Sequence, residues 1–398
     1  LQVDPLTTVL TNFSVPIKKV GDATFSLLNP SSNRIGEFTY TSSDTSVATI
    51  DGNSVTIVGA GTSTISAVQT STDNYTSATI TSVFTVNQTT PTITNFVVPA
   101  KTFGDANFTL SDPTSNSDGA FTYTSTNTLV ATVSGKVVTI VGAGSCTINA
   151  VQTGTVSYTS GIINAPFVVS KNTPVLTNFT VLEKTFGSVA FKITPPTTTG
   201  VGVFTYTSSD TSVATIVKDV VTIVGVGSST ITAVQASTAN FLSQTTTTTL
   251  TVTQGTPTIT NFSVPTKTAG DATFSLVPPS SNSTGAFTYT SSNLLVATIA
   301  GDVVTVVGTG TCTITALQAS TPNSISAAIT ASLVVSKATT VLSNFSVLSK
   351  TFGNGPFSLV PPTTNSNGNF TYTSSDTSVA TIVKDVVTIL GIGSTTIT

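Results

Sequence analysis

Few side chains in this sequence could do chemistry. Its 398 residues include sixteen Asp or Glu, thirteen Lys or Arg, two Cys, and no His, Met or Trp. Without His, neither a Ser-His-Asp nor a Cys-His arrangement can form, since each needs a base placed to take the nucleophile's proton. The acids are mostly single Asp residues in loops, such as Asp44, Asp210 and Asp376, and Asn127 and Asn293 stand at the equivalent positions. A required carboxylate would not alternate with a neutral amide. Calcium asks for six to eight converging oxygens and zinc for clustered His or Cys. The expectation is therefore no enzyme, no metal and no cofactor.

The remaining candidates each have a structural reading beside the chemical one. Cys146 shares strand parity with Ile148 and Ala150, so it reads as a small buried thiol, with an intermolecular disulfide as the alternative. Lys18, Lys101, Lys184, Lys267 and Lys350 recur before a glycine. They read as cations guarding a sheet edge, the alternative being a Lys–Asn isopeptide bond, for which the needed buried acid is nearly absent. Nine Asn-x-Ser/Thr sequons occur, among them Asn12, Asn178, Asn261 and Asn344. A chain in which Ser and Thr make up about a third would carry about as many by chance. Thr39-Tyr40-Thr41 supplies one Thr-x-Thr pair per copy, too sparse for an ice-binding array whose rungs must follow strand spacing.

The elements that position these residues come from a repeat. FTYTS begins at Phe38, Phe121, Phe204, Phe287 and Phe370, a spacing of 83 each time. Asn12-Phe13, Asn95-Phe96, Asn178-Phe179, Asn261-Phe262 and Asn344-Phe345 keep the same register, as do Gly21, Gly104, Gly187, Gly270 and Gly353. In the fourth copy Ile259–Val264, Ala272–Val277, Ala286–Ser291, Val296–Ile299, Val303–Val307, Cys312–Leu317 and Ile329–Val335 alternate apolar and polar residues between Pro, Asn and Gly punctuation. No helical period is present. About seven strands per copy predict an all-β chain of tandem Ig-like β-sandwich domains, beads on a string forming a rod. Net charge is −3, which offers no footprint for nucleic acid. Mean hydropathy is +0.35, yet no apolar run is long enough for a membrane helix.

The run FTYTSSDTSVATI followed by VVTIVGVGSSTITAVQAS resembles the bacterial Ig-like repeat of group 2, known from rods of invasin- and intimin-type adhesins. The pattern recurs at Tyr40–Ala67, Tyr123–Ala150, Tyr206–Ala233 and Tyr289–Ala316, and from Tyr372 to the chain end. Tyr or Phe stands where that family often has Trp, and the valley between VATI and VVTI is short. The resemblance implies a spacer or adhesive module on an extracellular, cell or virion surface rather than a reaction.

Copies also alternate. Cys146 and Cys312 lie in copies two and four, and TSSDTSVATIVKDVVTI recurs at Thr207–Ile223 and Thr373–Ile389 in copies three and five. Duplication of a two-domain unit explains this; successive domains facing different lateral contacts is a compatible reading. The register divides the chain into a strand tail at 1–6, repeats at 7–89, 90–172, 173–255 and 256–338, and a fifth repeat at 339–398 without its last strand. Leu1, Gln2 and Val3 align with the ends of final strands. Either the sequence is a window on a longer protein, or Leu1, Gln2 and Val3 act as a donor segment for the acceptor edge Thr395, Thr396, Ile397 and Thr398 of a neighbour.

The function expected is structural: a surface stalk, fibre or filament built by end-to-end or lateral self-association, with no nucleic-acid partner and no membrane span. The alternative is the rod of an adhesin presenting a tip for a glycan or host-surface ligand.

Overall fold

A computed structural model describes every residue from Leu1 to Thr398, built of short strands joined by turns and irregular segments, with no helix. The first repeat defines the pattern: β1 (Leu10–Thr11), β2 (Lys18–Lys19), β3 (Phe25–Ser26), β4 (Ser31–Ser32), β5 (Thr39–Ser42), β6 (Ala48–Asp51), β7 (Ser54–Ile57), β8 (Gly61–Gln69) and β9 (Ala78–Asn87). One sheet runs β2-β9-β8-β5, the facing sheet runs β3-β7-β6, and β1 pairs with β4. All pairs are antiparallel except β2 with β9, which is parallel. The second and fourth repeats have the same order. The fold is Ig-like.

The seven expected strand positions are present, but two are shortened and two further two-residue strands appear outside them, giving nine short segments. The first stops after β1, where Asn12 turns the chain and Pro16 cannot donate to a ladder; the second stops after β3, ahead of Pro30. The long strands expected at 259–264 and 272–277 accordingly shrink to Ile259–Thr260 and Phe274–Ser275, with Lys267–Thr268 and Ser280–Ser281 as the added pieces.

The periodic residues each have a local cause. Asn12, Asn95, Asn178, Asn261 and Asn344 all adopt left-handed φ between 57° and 61°. Asn tolerates that region better than other side-chain-bearing residues. The turn brings the next residue inward: Phe13 and Tyr40 rings lie 6.0 Å apart, Phe96 and Tyr123 5.9 Å. Gly104 has φ of 95° at the third place of the Thr102–Asp105 turn, closed by Asp105 N donating to Thr102 O, the place where a type II turn needs glycine.

Alternation sorts the strands. In Gly144–Gln152 the inward residues Cys146, Ile148, Ala150 and Gln152 are buried, and Phe167 opposite Cys146 is fully buried. Burying one such side chain is worth about 1.5–3 kcal/mol. Both cysteines are free and buried, as the parity argument expected for Cys146. Of the recurring lysines, Lys18, Lys101, Lys184 and Lys267 sit on β2-type edges, and Lys350 lies outside any strand. Their ammonium groups also lie over aromatic rings: Lys18 over Phe25 at 5.1 Å, Lys101 over Phe108 at 5.3 Å and Lys267 over Phe274 at 4.5 Å.

Two compact units are present. One comprises Leu1–Leu182, Ala190–Thr222 and Ser229–Leu250, and holds the separate cores of the first two repeats. The other comprises Glu183–Val189, Ile223–Ser228 and Thr251–Thr398, and holds those of the fourth and fifth. No helix is long and apolar enough to cross a membrane.

Candidate assembly interface at the repeat junctions

The Asp residues that might have been catalytic cap turns. Asp44 Oδ1 accepts from Ser46 N at 2.9 Å and Ser46 Oγ at 2.6 Å, and Asp210 and Asp376 do the same with Ser212 and Ser378. The side-chain bond first, and then the backbone bond, holds these carboxyls below their ordinary value. Asn127 Oδ1 and Asn293 Oδ1 accept from Leu129 N and Leu295 N at 3.0 Å. Any Asx oxygen performs this task, which is why Asp and Asn interchange.

The alternation of copies has an internal partner. Ser63 Oγ lies 2.7 Å from Ser42 Oγ and accepts from Asp44 N at 3.1 Å; Ser229 and Thr395 repeat this with Ser208 and Asp210, and with Ser374 and Asp376. Copies two and four put Cys146 and Cys312 there, and Asn127 N and Asn293 N donate instead to Ser125 Oγ and Ser291 Oγ at 3.3 Å. Asp goes with Ser or Thr, and Asn with Cys, inside one repeat.

A polar site missed in the sequence recurs at Gln69, Gln152, Gln235 and Gln318, each 1% exposed. Gln152 Oε1 accepts from Ser115 Oγ at 2.7 Å, and its Nε2 donates to Ser117 O at 2.9 Å and Gly119 O at 2.8 Å. Each glutamine thereby ties the loop before the β5-type strand to the sheet. Its 83-residue spacing was the available signal; a polar residue at a buried parity position needs partners.

The strongest recurring arrangement lies where one repeat passes into the next. Thr89 is bracketed by the loop that precedes the final strand of the following repeat: Thr89 N donates to Ser157 O at 3.2 Å and Thr159 N to Thr89 O at 2.9 Å. Asn172 is bracketed by Asn240 O and Leu242 N, both at 2.9 Å, and Gly255 by Asn323 O and Ile325 N, both at 3.0 Å. The same loop reaches back to the preceding repeat. Ala60 N donates to Ser157 Oγ at 3.3 Å, Ala143 N to Asn240 Oδ1 at 2.8 Å and Val226 N to Asn323 Oδ1 at 2.9 Å. A third bond closes each junction, from Gln88 Nε2, Lys171 Nζ and Gln254 Nε2 to the carbonyls of Thr155, Thr238 and Thr321, each at 2.7 Å.

Packing differs between junctions as the sequences did. Phe103 meets Phe241 edge-on with centroids 5.5 Å apart, beside Asn172 Nδ2 donating to Phe103 O at 3.0 Å. At the next junction Gly255 replaces Asn172, and a Cβ there would lie 2.2 Å from Phe186 O, so only glycine fits.

Of the proposed donor and acceptor residues, Leu1 and Val3 are exposed, and Gln2 Nε2 donates to Asp4 Oδ1 at 3.5 Å. In Thr395–Thr398, Ile397 bridges Ser374, and Thr398 exchanges two backbone bonds with Thr373. Leu6 is held by Asn74 O and Thr76 N in the first repeat, in the bracket that holds Thr89 in the second.

No family model matches the chain. No curated protein matches it. Among solved structures it is similar to the immunoglobulin domains 1–5 of Sidekick-1, at 15% identity over 83% of this chain and 81% of that one, with a TM-score of 0.30. It is also similar to Drosophila N-cadherin EC1–4 (14%, 81% and 99%, TM-score 0.23) and to the human desmocollin-1 ectodomain (10%, 97% and 92%, TM-score 0.25). Likeness this distant carries no argument about function.

Proposed function

We propose that the chain is a structural spacer of the group 2 bacterial Ig-like type, forming a stalk, fibre or filament on an extracellular or virion surface. The observation that carries this reading is the hydrogen-bonded junction, built three times from the same positions. A free linker between domains would leave its backbone to water. Here the connecting residue is zipped into the next repeat, and that repeat's loop is bonded back onto the previous one. A surface coated with Thr and Ser hydroxyls and almost free of charge suits a spacer that packs among its own kind.

Within this proposal, domains follow the 83-residue register. Leu1, Gln2 and Val3 are the donor, and Thr395, Thr396, Ile397 and Thr398 the acceptor, of an end-to-end contact. Two features support that part: Leu1 and Val3 are exposed apolar residues, and Thr395–Thr398 pairs on one side only.

The test is to remove the loop side chains as S157A/N240A/N323A in the full chain. Angles between adjacent repeats are then measured by electron microscopy, and repeat stability by calorimetry. Wider angular distributions with unchanged repeat melting are expected. If wild type already bends as freely as the triple variant, the spacer reading fails.

A further inference from the structure

Each four-stranded sheet has two unlike edges. The β2-type edge is two residues long and carries the lysine that lies over a Phe ring. The opposite edge, the FTYTS strand, has neither charge nor proline. In the third repeat it is Phe204–Ser208, paired through Phe204↔Gln235 to Ser208↔Ile231 on one side, with no strand on the other. A bare, uncharged strand of Phe, Tyr and Thr presents unpaired backbone groups and is a template for strand addition.

In this repeat a cleft of about 360 Å³ runs beside that edge, lined by Phe204, Thr205, Tyr206, Lys218 and Asp219. Tyr206 Oη has no partner. Its counterparts Tyr40 and Tyr123 donate to Asn29 and Asp112, and the third repeat has Pro195 at that position. The fifth repeat repeats the cleft with Phe370, Thr371, Tyr372, Lys384 and Asp385, beside a segment that is no regular strand and is tied on its inner side only through Thr373, Ser374 and Ser375 to Thr396, Ile397 and Thr398.

Lys218 is the unexpected residue. It sits at φ of 58°, as does Lys384, in a hairpin turn where the other repeats use Gly52, Gly135 and Gly301. Left-handed backbone disfavours a side chain and costs glycine nothing. Both lysines are exposed and neither has an ion-pair partner in its own chain, while Asp219 meets only Lys192, at 3.4 Å. Strain kept at a surface turn beside an open edge points to a use for the side chain.

We propose that the edges at Phe204 and Phe370, with Lys218-Asp219 and Lys384-Asp385 as flanking charges, dock a second copy of this chain by antiparallel edge-to-edge pairing. This deepens the assembly reading above and rests on it. The occupant follows from self-complementarity. Under a two-fold axis each edge meets an identical edge, exposed Thr205 and Thr207 face their own kind, and the adjacent cation and anion of one copy meet the anion and cation of the other. A net charge of −3 over 398 residues gives copies little reason to repel. Residues 207–223 and 373–389, identical in the sequence, are thereby assigned a contact.

The test uses the full chain in sedimentation velocity, with amide exchange, over about a hundredfold range of concentration. Wild type is expected to self-associate, with exchange at Tyr206, whose N–H faces away from the neighbouring strand, slowing as concentration rises. The variant K218G/K384G relieves the turn, so its melting temperature should hold or rise while association weakens about tenfold or more. K218D/K384D, which opposes like charges, should abolish association. A monomeric wild type, or glycine and aspartate variants that associate as wild type does, overturns the inference. The junction experiment is independent of these outcomes, so spacer and edge can fail separately.

Discussion

Replacing Gln152 with Leu removes a buried clamp while keeping most of its volume. The amide makes three hydrogen bonds, and Leu makes none. A typical intramolecular bond is worth about 1 kcal/mol net, and a fully buried orphan costs about 1–3 kcal/mol. Ser115, Ser117 and Gly119 are only half-buried, so water reaches part of what is released. The lower figure therefore governs, and the loss is about 3 kcal/mol. For a domain of this size that lowers the second repeat's melting temperature by about 12–24 °C. Calorimetry of the full chain reads the shift, and amide exchange across residues 114–120 locates it. Gln152→Glu sharpens the test. Its carboxylate would face the carbonyls of Ser117 and Gly119, so the folded state raises its pKa. The variant then approaches wild type at low pH, below the unfolded carboxyl value, and loses stability as pH rises through the folded value. If Gln152→Leu melts within a degree or two of wild type, or exchange quickens elsewhere but not in this loop, the clamp argument is wrong.

Asn95→Ala should cost about 1–2 kcal/mol, because alanine must hold the left-handed turn without an amide, whereas Asn95→Gly should be near neutral; thermal denaturation separates the two. The lowered carboxyls of Asp44, Asp210 and Asp376 contribute stability above the ordinary Asp value that is lost as pH falls through the folded values. Melting should therefore be flat between about pH 5 and 9 and decline only in acid, and a steep change near neutrality would contradict this. Cys146→Ser should be tolerated, since Ser63 occupies that position beside the same strand; both thiols should react with a thiol reagent only on unfolding, as mass spectrometry can show.

The repeat, its all-β character and the inward parity of Ile148 and Ala150 were legible because strand alternation has a period of two and the copies keep one register. The shortened strands were not: propensity favours Val264 and Ala272 as strand, but Pro265 and the turn at Asn261 remove the ladder donors a continuous strand needs. Gln152 was passed over because composition marks glutamine as a surface residue. The junctions were visible as alternating sequences. Their hydrogen bonds were not, because they link residues 97 apart, such as Ala143 and Asn240, through a loop with no motif of its own.

The third junction bond ends on a main-chain carbonyl every time, at Thr155, Thr238 or Thr321, whichever of Gln88, Lys171 or Gln254 donates. Such an acceptor is indifferent to the side chains of the repeat that carries it. Unequal crossing-over between copies of the gene would then delete or add whole modules and still leave each seam with a donor and a carbonyl to meet. Phe103 with Phe241, and Gly255 against Phe186, set the exception: these side-chain contacts differ from seam to seam, so a module moved to a new neighbour keeps its carbonyl acceptor but must repack them. Length variants among natural isolates should therefore differ by whole multiples of 83 residues, the spacing of the FTYTS runs.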